Sequence, residues 1–186
     1  MGRALLVPFL VLVLGTAAEA KVVEGVRFPA AVELPGTRLE LAGAALLRWK
    51  LVVRAYVAAL YLGAGARPEE ALADVPKRLE IEYFHGIGAE DFARVTLDRV
   101  RLNVSEAEFE RLKPQIDALN RLYRDVAPGD RYALTYEPGV GTTLAKNGIA
   151  LGTIPGPALA RALFAIWLGE VPVDASLKQA LLGRSL

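Results

Sequence analysis

The segment Leu46–Leu62, which reads LLRWKLVVRAYVAALYL, decides the fold of this chain because it is the most strongly β-favouring stretch outside the apolar N-terminus. Valine, leucine and aromatic residues dominate it, and it contains neither glycine nor proline. Every odd-numbered position from Leu47 to Tyr61 is apolar or aromatic, whereas the even-numbered positions begin charged and turn apolar after Tyr56. This period of two predicts a long strand at the centre of a sheet, with one fully buried face.

Two polar side chains on the other face of this strand, Arg48 and Tyr56, are candidate ligand-binding residues. Arg48 has the fork of donors that binds a carboxylate or phenolate at two points, and Tyr56 has a hydroxyl to donate. The alternative is an edge arginine with its head in water and a core tyrosine. Eight residues of straight strand span about 26 Å. The two side chains can therefore share one anion only if the chain doubles back near Leu51–Val53, where no turn residue stands.

The rest of the chain alternates between blocks of strands and blocks of helices. Strands are predicted by alternation or by flanking turn dipeptides, and helices by apolar spacing and by caps such as Ser105 with Glu108. The predicted strands are 21–28, 31–34, 37–41, 77–84, 132–136, 141–146 and 149–151, and the predicted helices begin near 89, 105, 157 and 175. This order predicts an α+β fold in which helices stack on one face of an antiparallel sheet.

The N-terminus has the composition of a secretory signal peptide. Arg3 precedes an apolar run from Ala4 to Leu14, and Ala18-Glu19-Ala20 is a cleavage site of the A-x-A type. The run is too short to span a bilayer comfortably, although an uncleaved anchor is the alternative. We therefore predict a signal peptide at residues 1–20, a single domain at residues 21–186, and a periplasmic or secreted location.

The amino-acid composition of the chain limits the classes of function that we expect. The net charge of +1 over 186 residues gives no reason to expect a nucleic-acid partner. With no cysteine and a single histidine, His85, thiol chemistry and a transition-metal site are not expected, and no cofactor is predicted. His85 follows a predicted strand, as a general base could, but a surface loop histidine is the simpler interpretation. Membrane contact is expected only through the signal peptide, and no pattern defines an oligomeric state.

Three stretches taken together resemble the chalcone isomerase-like superfamily, and specifically its bacterial exported branch. The first comprises Glu24-Gly25-Val26 with Phe28-Pro29, and the second comprises Leu47-Arg48 with the run from Arg54 to Leu62. The third comprises Ile166-Trp167-Leu168-Gly169 with Pro172-Val173-Asp174 and Leu181-Leu182-Gly183. The resemblance covers essentially the whole chain after residue 20, and it depends on the order and spacing of all three motifs.

The resemblance implies an open-faced β-sandwich, in which a large antiparallel sheet is covered by helices and a ligand cleft lies between the two layers. Arg48 matches the central arginine of the family. Tyr56 stands where the isomerases carry threonine and where the fatty-acid-binding members carry tyrosine. The isomerases also use a tyrosine and an asparagine seven residues apart on the first long helix, and their positions fall at Phe92 and Arg99, which carry neither side chain.

These observations lead to a ranked set of functional hypotheses. The first is a periplasmic small-molecule binding protein that holds a fatty acid or another apolar acid, with Arg48 at the head group and Tyr56 assisting. The second is an intramolecular lyase of the chalcone–flavanone isomerase type, in which an arginine would stabilise a developing oxyanion. The third is a ligand-free envelope protein whose apolar helix 158–168 meets a partner, although burial in the core also explains that helix.

Overall fold

The computed structural model describes residues 20–49 and 52–184. Alternating apolar residues and short turns give nine strands there, of which two form a separate hairpin and seven form one sheet. The hairpin strands are β1 (Lys21–Val23) and β2 (Val26–Phe28). The sheet strands are β3 (Ala31–Leu34), β4 (Thr37–Trp49), β5 (Val53–Gly63), β6 (Lys77–Tyr83), β7 (Arg131–Glu137), β8 (Gly141–Lys146) and β9 (Ile149–Ile154). The predicted signal peptide lies outside the described residues, except for Ala20.

Four α-helices form the second layer. They are α1 (Ala89–Arg101), α2 (Glu106–Asn120), α3 (Pro157–Leu168) and α4 (Ala175–Leu181). The Ser105 side chain accepts the Glu108 amide, so the predicted cap of α2 is confirmed, and Pro114 lies within that helix without ending it. Within the described part of the chain, no helix combines the length and the apolar character needed to cross a membrane.

The sheet is an antiparallel meander, because each of its strands pairs with the next strand in the sequence. The predicted α+β architecture, an antiparallel sheet covered by helices, is confirmed. The main core lies between the sheet and the helices. A smaller core on the opposite face is covered by the β1–β2 hairpin, which places Val26 and Phe28 against Leu39, Val57 and Tyr61.

The prediction of one continuous strand over residues 46–62 is wrong. The chain reverses between Trp49 and Val53, which stand opposite each other as β4 and β5 pair antiparallel. The pairing slips once near the end of this hairpin, so that Leu47 stands opposite Tyr56 while Arg48 stands opposite Arg54. The slip leaves Ala55 as an extra residue in β5, so Arg54 and Tyr56 face opposite sides of the sheet although two residues separate them. The sequence pattern did not show the reversal, because both strands are apolar and residues 50–52 carry no turn signal.

Candidate functional site

A cavity of about 190 Å³ lies between the sheet and the helical layer. Its floor comes from alternate residues of four neighbouring strands, among them Ile81 of β6, Leu134 of β7 and Leu144 of β8, with Tyr56 at the β5 side. Its walls come from one face of α1 and from Trp167 near the end of α3. The cavity therefore occupies the position that the resemblance implies for a ligand cleft.

Six aromatic residues line the cavity, together with eight aliphatic ones. The ring centroids of Tyr83 and Phe92 are 5.3 Å apart at 72°, and Phe92 stacks on Tyr123 at the same distance. Such edge-to-face and offset pairs stabilise one another beyond the area they bury. The six aromatic residues that line the cavity are Tyr56, Tyr83, Phe92, Tyr123, Tyr132 and Trp167. Because the rings support one another, the aromatic part of the cavity wall is preorganised.

Most of the cavity hydroxyls are already used in holding the walls together. The Tyr132 hydroxyl donates to the Arg124 carbonyl at 2.6 Å and accepts the Arg124 amide at 2.7 Å. The Tyr123 hydroxyl lies 3.0 Å from the Thr96 hydroxyl. The Tyr83 hydroxyl has no hydrogen-bond partner among residues 20–49 and 52–184, so it can still bind a ligand.

Tyr56 keeps a free donor. The Trp167 indole N–H donates to its oxygen at 2.9 Å, and this leaves the hydroxyl hydrogen for another acceptor. Burial raises the pKa of Tyr56 far above its ordinary value, although the Trp167 hydrogen bond and the Arg99 charge oppose that shift. The hydroxyl therefore stays protonated at any physiological pH and presents a hydrogen-bond donor inside the cavity.

Two charged side chains line the cavity among the described residues, Asp91 and Arg99, and both belong to α1. The Asp91 carboxylate pairs with the Arg94 guanidinium at 2.7 Å. The Arg99 guanidinium has no ion pair or hydrogen bond with another side chain in the described part of the chain, and its side chain is half-buried. Its charge and that of Asp174 both act on Tyr56. Arg99 is therefore the cation available to an anion in this cavity.

Arg48 does not line the cavity, so its expected position beside Tyr56 is wrong, and its binding of a ligand stays a prediction. Its side chain is 45% exposed and binds Glu24 at 3.2 Å, on the sheet face that carries the β1–β2 hairpin. Arg54 binds the same carboxylate at 3.1 Å. The cause is the register of the hairpin, because residues opposite each other on paired strands face the same side and Leu47, not Arg48, is opposite Tyr56.

The structure also gives the positions of the other candidate residues. Phe92 and Arg99, the positions that match the tyrosine and asparagine of the isomerases, both line the cavity, but neither has the side chain that the isomerases use. His85 is exposed and does not line the cavity. Within the described ranges, no group of histidine and carboxylate side chains could hold a metal ion. Sequence reasoning assigned no function to Arg99, and only its position in the resemblance pointed to it.

Asn103 lies next to the cavity and holds one of its edges in place. Its amide donates to the Val171 carbonyl at 3.0 Å and to the Arg99 carbonyl at 3.1 Å, and its oxygen accepts the Val171 amide at 3.1 Å. These bonds tie the chain after α3 to the end of α1. Because Val173 of the same segment lines the cavity, Asn103 positions one edge of the site without entering it.

A meandering antiparallel sheet with a cavity beneath a helical layer defines the open-faced β-sandwich class. The chain belongs to the chalcone isomerase-like family, whose model matches residues 20–183. Among solved structures, it is similar to the crystal structure of a fatty-acid binding protein from Arabidopsis thaliana, with a TM-score of 0.68 and 18% identity. That similarity covers 89% of this chain and 96% of the plant protein, and it concerns the fold. A search of curated proteins gives no match.

Proposed function

We propose that this protein binds a small apolar carboxylate, with the tail in the aromatic cavity and the head group between Arg99 and the Tyr56 hydroxyl. The observation that carries the proposal is a guanidinium without a partner among the described residues, at the edge of a cavity that is otherwise almost entirely apolar. A charge-assisted hydrogen bond between Arg99 and a carboxylate is about twice as strong as a neutral one. The similar plant structure is that of a fatty-acid binding protein, and this supports the same class of ligand.

The size of the cavity suggests the length of the tail. A cavity of about 150 Å³ lined by aliphatic and aromatic side chains holds benzene. By that proportion, 190 Å³ holds roughly eight non-hydrogen atoms. A medium-chain carboxylate such as octanoate would bury its tail there and leave its head group at the level of Arg99.

The isomerase alternative is less well supported by this geometry. Arg99 could stabilise an oxyanion, but Phe92 offers no hydroxyl at the position that matches the isomerase tyrosine.

We also propose that the protein is exported and belongs to the bacterial exported branch of the family. The support is the sequence of residues 1–20, with its basic start, apolar run and A-x-A site.

Isothermal titration with octanoate tests the proposed site. The Arg99→Gln variant keeps a polar side chain of similar length but removes the charge, and we expect it to weaken octanoate binding by roughly 10-fold to 100-fold. The Arg48→Gln variant is the matched control, because Arg48 lies on the opposite face of the sheet and its loss should leave the affinity unchanged.

Titration with octan-1-ol distinguishes the contribution of the head group to the binding affinity from that of the tail. We expect the alcohol to bind the wild-type protein more weakly than octanoate and to bind the Arg99→Gln variant with nearly the same affinity as the wild type. Equal octanoate affinity in the wild type and the Arg99→Gln variant would contradict the proposed head-group site, as would a loss of affinity in Arg48→Gln.

A further inference from the structure

Tyr83 carries the one cavity hydroxyl that has no hydrogen-bond partner in the described part of the chain. Its side chain lines the cavity and is only 6% exposed. The hydroxyls of Tyr56, Tyr123 and Tyr132 each have a partner within the protein. Burial, followed by these three neighbouring hydroxyls, raises the pKa of Tyr83 well above its ordinary value, so the group is a neutral donor at physiological pH.

The Tyr83 ring is held in place from several directions. Its centroid lies 5.8 Å from that of Tyr56, 5.3 Å from that of Phe92 and 6.1 Å from that of Tyr132, in edge-to-face contacts. Tyr83 is the last residue of β6, and its amide still donates to the Asp130 carbonyl at 3.1 Å. With both ring and backbone fixed, the hydroxyl stays in the cavity wall and does not swing out to bulk water.

Tyr83 stands between the head-group end of the proposed site and its inner end. Phe92 and Arg99 both line the cavity from α1, and seven residues of helix separate them by about 10 Å. Tyr83 is opposite Tyr56, which lies at the Arg99 end, and its ring also contacts Phe92. The Tyr83 hydroxyl therefore meets the chain of a bound acid partway along its length.

A plain aliphatic chain would leave this hydroxyl without an acceptor. Filling the cavity displaces any water that binds the hydroxyl, and a ligand group that does not replace that hydrogen bond loses affinity. A site with a buried hydrogen-bonding group discriminates against a ligand that lacks the matching group, because the protein group is then left unpaired. An oxygen atom within the chain would supply the missing partner.

We propose that the ligand is a medium-chain acid with an oxo or hydroxyl group inside its chain, and that Tyr83 binds this oxygen. The proposal rests on the proposed function and narrows its ligand class, because the carboxylate stays with Arg99 and Tyr56. An oxo group accepts the phenolic hydrogen, and a hydroxyl group can accept it as well. The seven carbons of an octanoate chain beyond the carboxyl group, together with one oxygen, match the roughly eight atoms that the cavity holds.

Isothermal titration with 5-oxooctanoate and with octanoate tests the role of Tyr83. We expect the wild type to bind the oxo acid at least roughly fivefold more tightly than octanoate, although the oxo acid is the more polar of the two. Tyr83→Phe keeps the ring and removes the hydroxyl. We expect this variant to bind octanoate at least as tightly as the wild type does, and to bind the oxo acid more weakly than octanoate.

Tyr61→Phe is the matched control. Tyr61 belongs to the core on the opposite face of the sheet, and its buried hydroxyl also has no partner among the described residues. The substitution therefore removes the same group at a place away from the cavity, and we expect it to keep the wild-type preference for the oxo acid. Retention of that preference in Tyr83→Phe, or an equal loss in both variants, would overturn the proposal. Equal binding of the two acids by the wild type would also overturn it.

Urea unfolding of ligand-free Tyr83→Phe gives a second measurement that does not depend on the choice of ligand. We expect the variant to be no less stable than the wild type, because the hydroxyl has no partner in the described part of the chain. A clear loss of stability would show that the protein itself binds this hydroxyl, and it would overturn the proposal.

The Arg99→Gln variant separates this proposal from the proposed function. Octanoate binding that depends on Arg99, without a preference for the oxo acid, would overturn the role of Tyr83 alone. Failure of the wild type to bind either acid would overturn the proposed function and, with it, the narrower ligand class.

Discussion

Tyr56 is the residue that joins the sheet, the helical layer and the cavity. Its ring lies edge-on to Tyr83, with centroids 5.8 Å apart, and its oxygen accepts the Trp167 indole from α3. The sequence pointed to Tyr56 as a residue of the cleft, because alternation along β5 and the resemblance agreed, and its role in binding a ligand stays a prediction. The sequence misplaced Arg48, because which residue faces the cavity depends on where the chain reverses, and that cannot be read from parity alone.

The hydrogen bond between Trp167 and Tyr56 should be visible in stability. Tyr56→Phe keeps the ring but leaves the indole N–H without its acceptor, which costs about 1–3 kcal/mol in the free energy of unfolding for a buried donor. A double-mutant cycle with Trp167→Phe, followed by urea unfolding, isolates the pair from the packing lost with the indole. We expect a coupling of at least about 0.5 kcal/mol. Strictly additive changes would show that the bond contributes nothing.

At the scale of secondary-structure elements, the sequence predicted a hairpin only where the residues of its turn carry a recognisable turn signal. Asn147-Gly148 predicted the β8–β9 hairpin correctly, since both residues take the positive φ that a tight turn requires. Residues 50–52, Lys-Leu-Val, contain no turn signal, so the β4–β5 hairpin was missed. The blocks of strands and helices still gave the α+β class, because block order does not depend on any one turn. The apolar α3 is buried in the core, which accounts for its composition.

Helix α4 packs directly on the backbone of β4 at Gly43. A β-carbon added there would overlap the Ala180 carbonyl oxygen and lie 2.7 Å from that of Leu181. We therefore expect Gly43→Ala to push α4 away from the sheet, together with the buried Leu177, and to lower the free energy of unfolding by about 1–3 kcal/mol.

Gly63→Ala is the control for this prediction, because it lies in the paired strand β5 and its added β-carbon would meet nothing closer than 3.4 Å. Urea unfolding of both variants makes the comparison. A Gly43→Ala protein as stable as Gly63→Ala would mean that α4 does not press on the strand.

At the scale of the whole molecule, the polar groups within the fold make stability depend on pH. Lys77 of β6 is fully buried, and its ammonium donates to the Ala71 carbonyl at 2.9 Å and to the Ala73 carbonyl. Burial lowers the pKa of Lys77 from 10.5 to about 8, against the opposing charge of Asp74. Between these two values the unfolded chain holds a proton that the folded protein has released, so stability should rise with pH across that window.

At higher pH the six tyrosines lower the stability of the fold, which is opposite to the effect of Lys77. Burial is the first cause that raises the pKa of each of them above its ordinary value of 10.0, to about 12 for Tyr123 and Tyr136. Above pH 10 the folded protein therefore keeps protons that the unfolded chain loses, and stability falls as the pH approaches 12. The two effects together place the maximum of stability between about pH 8 and pH 10.

Urea unfolding across the alkaline range, together with tyrosinate absorbance, tests this profile. Lys77→Met should remove the rise that begins near pH 8, whereas Lys113→Met, which changes a partly exposed lysine on α2, should keep it. Tyrosinate absorbance of the wild type should stay low through pH 10 and then appear in one cooperative step with unfolding, because the phenolates form only when the core opens. A gradual titration centred on pH 10 while the fold is intact would show that the rings reach water, and that the four tyrosines of the cavity are open to solvent rather than enclosed.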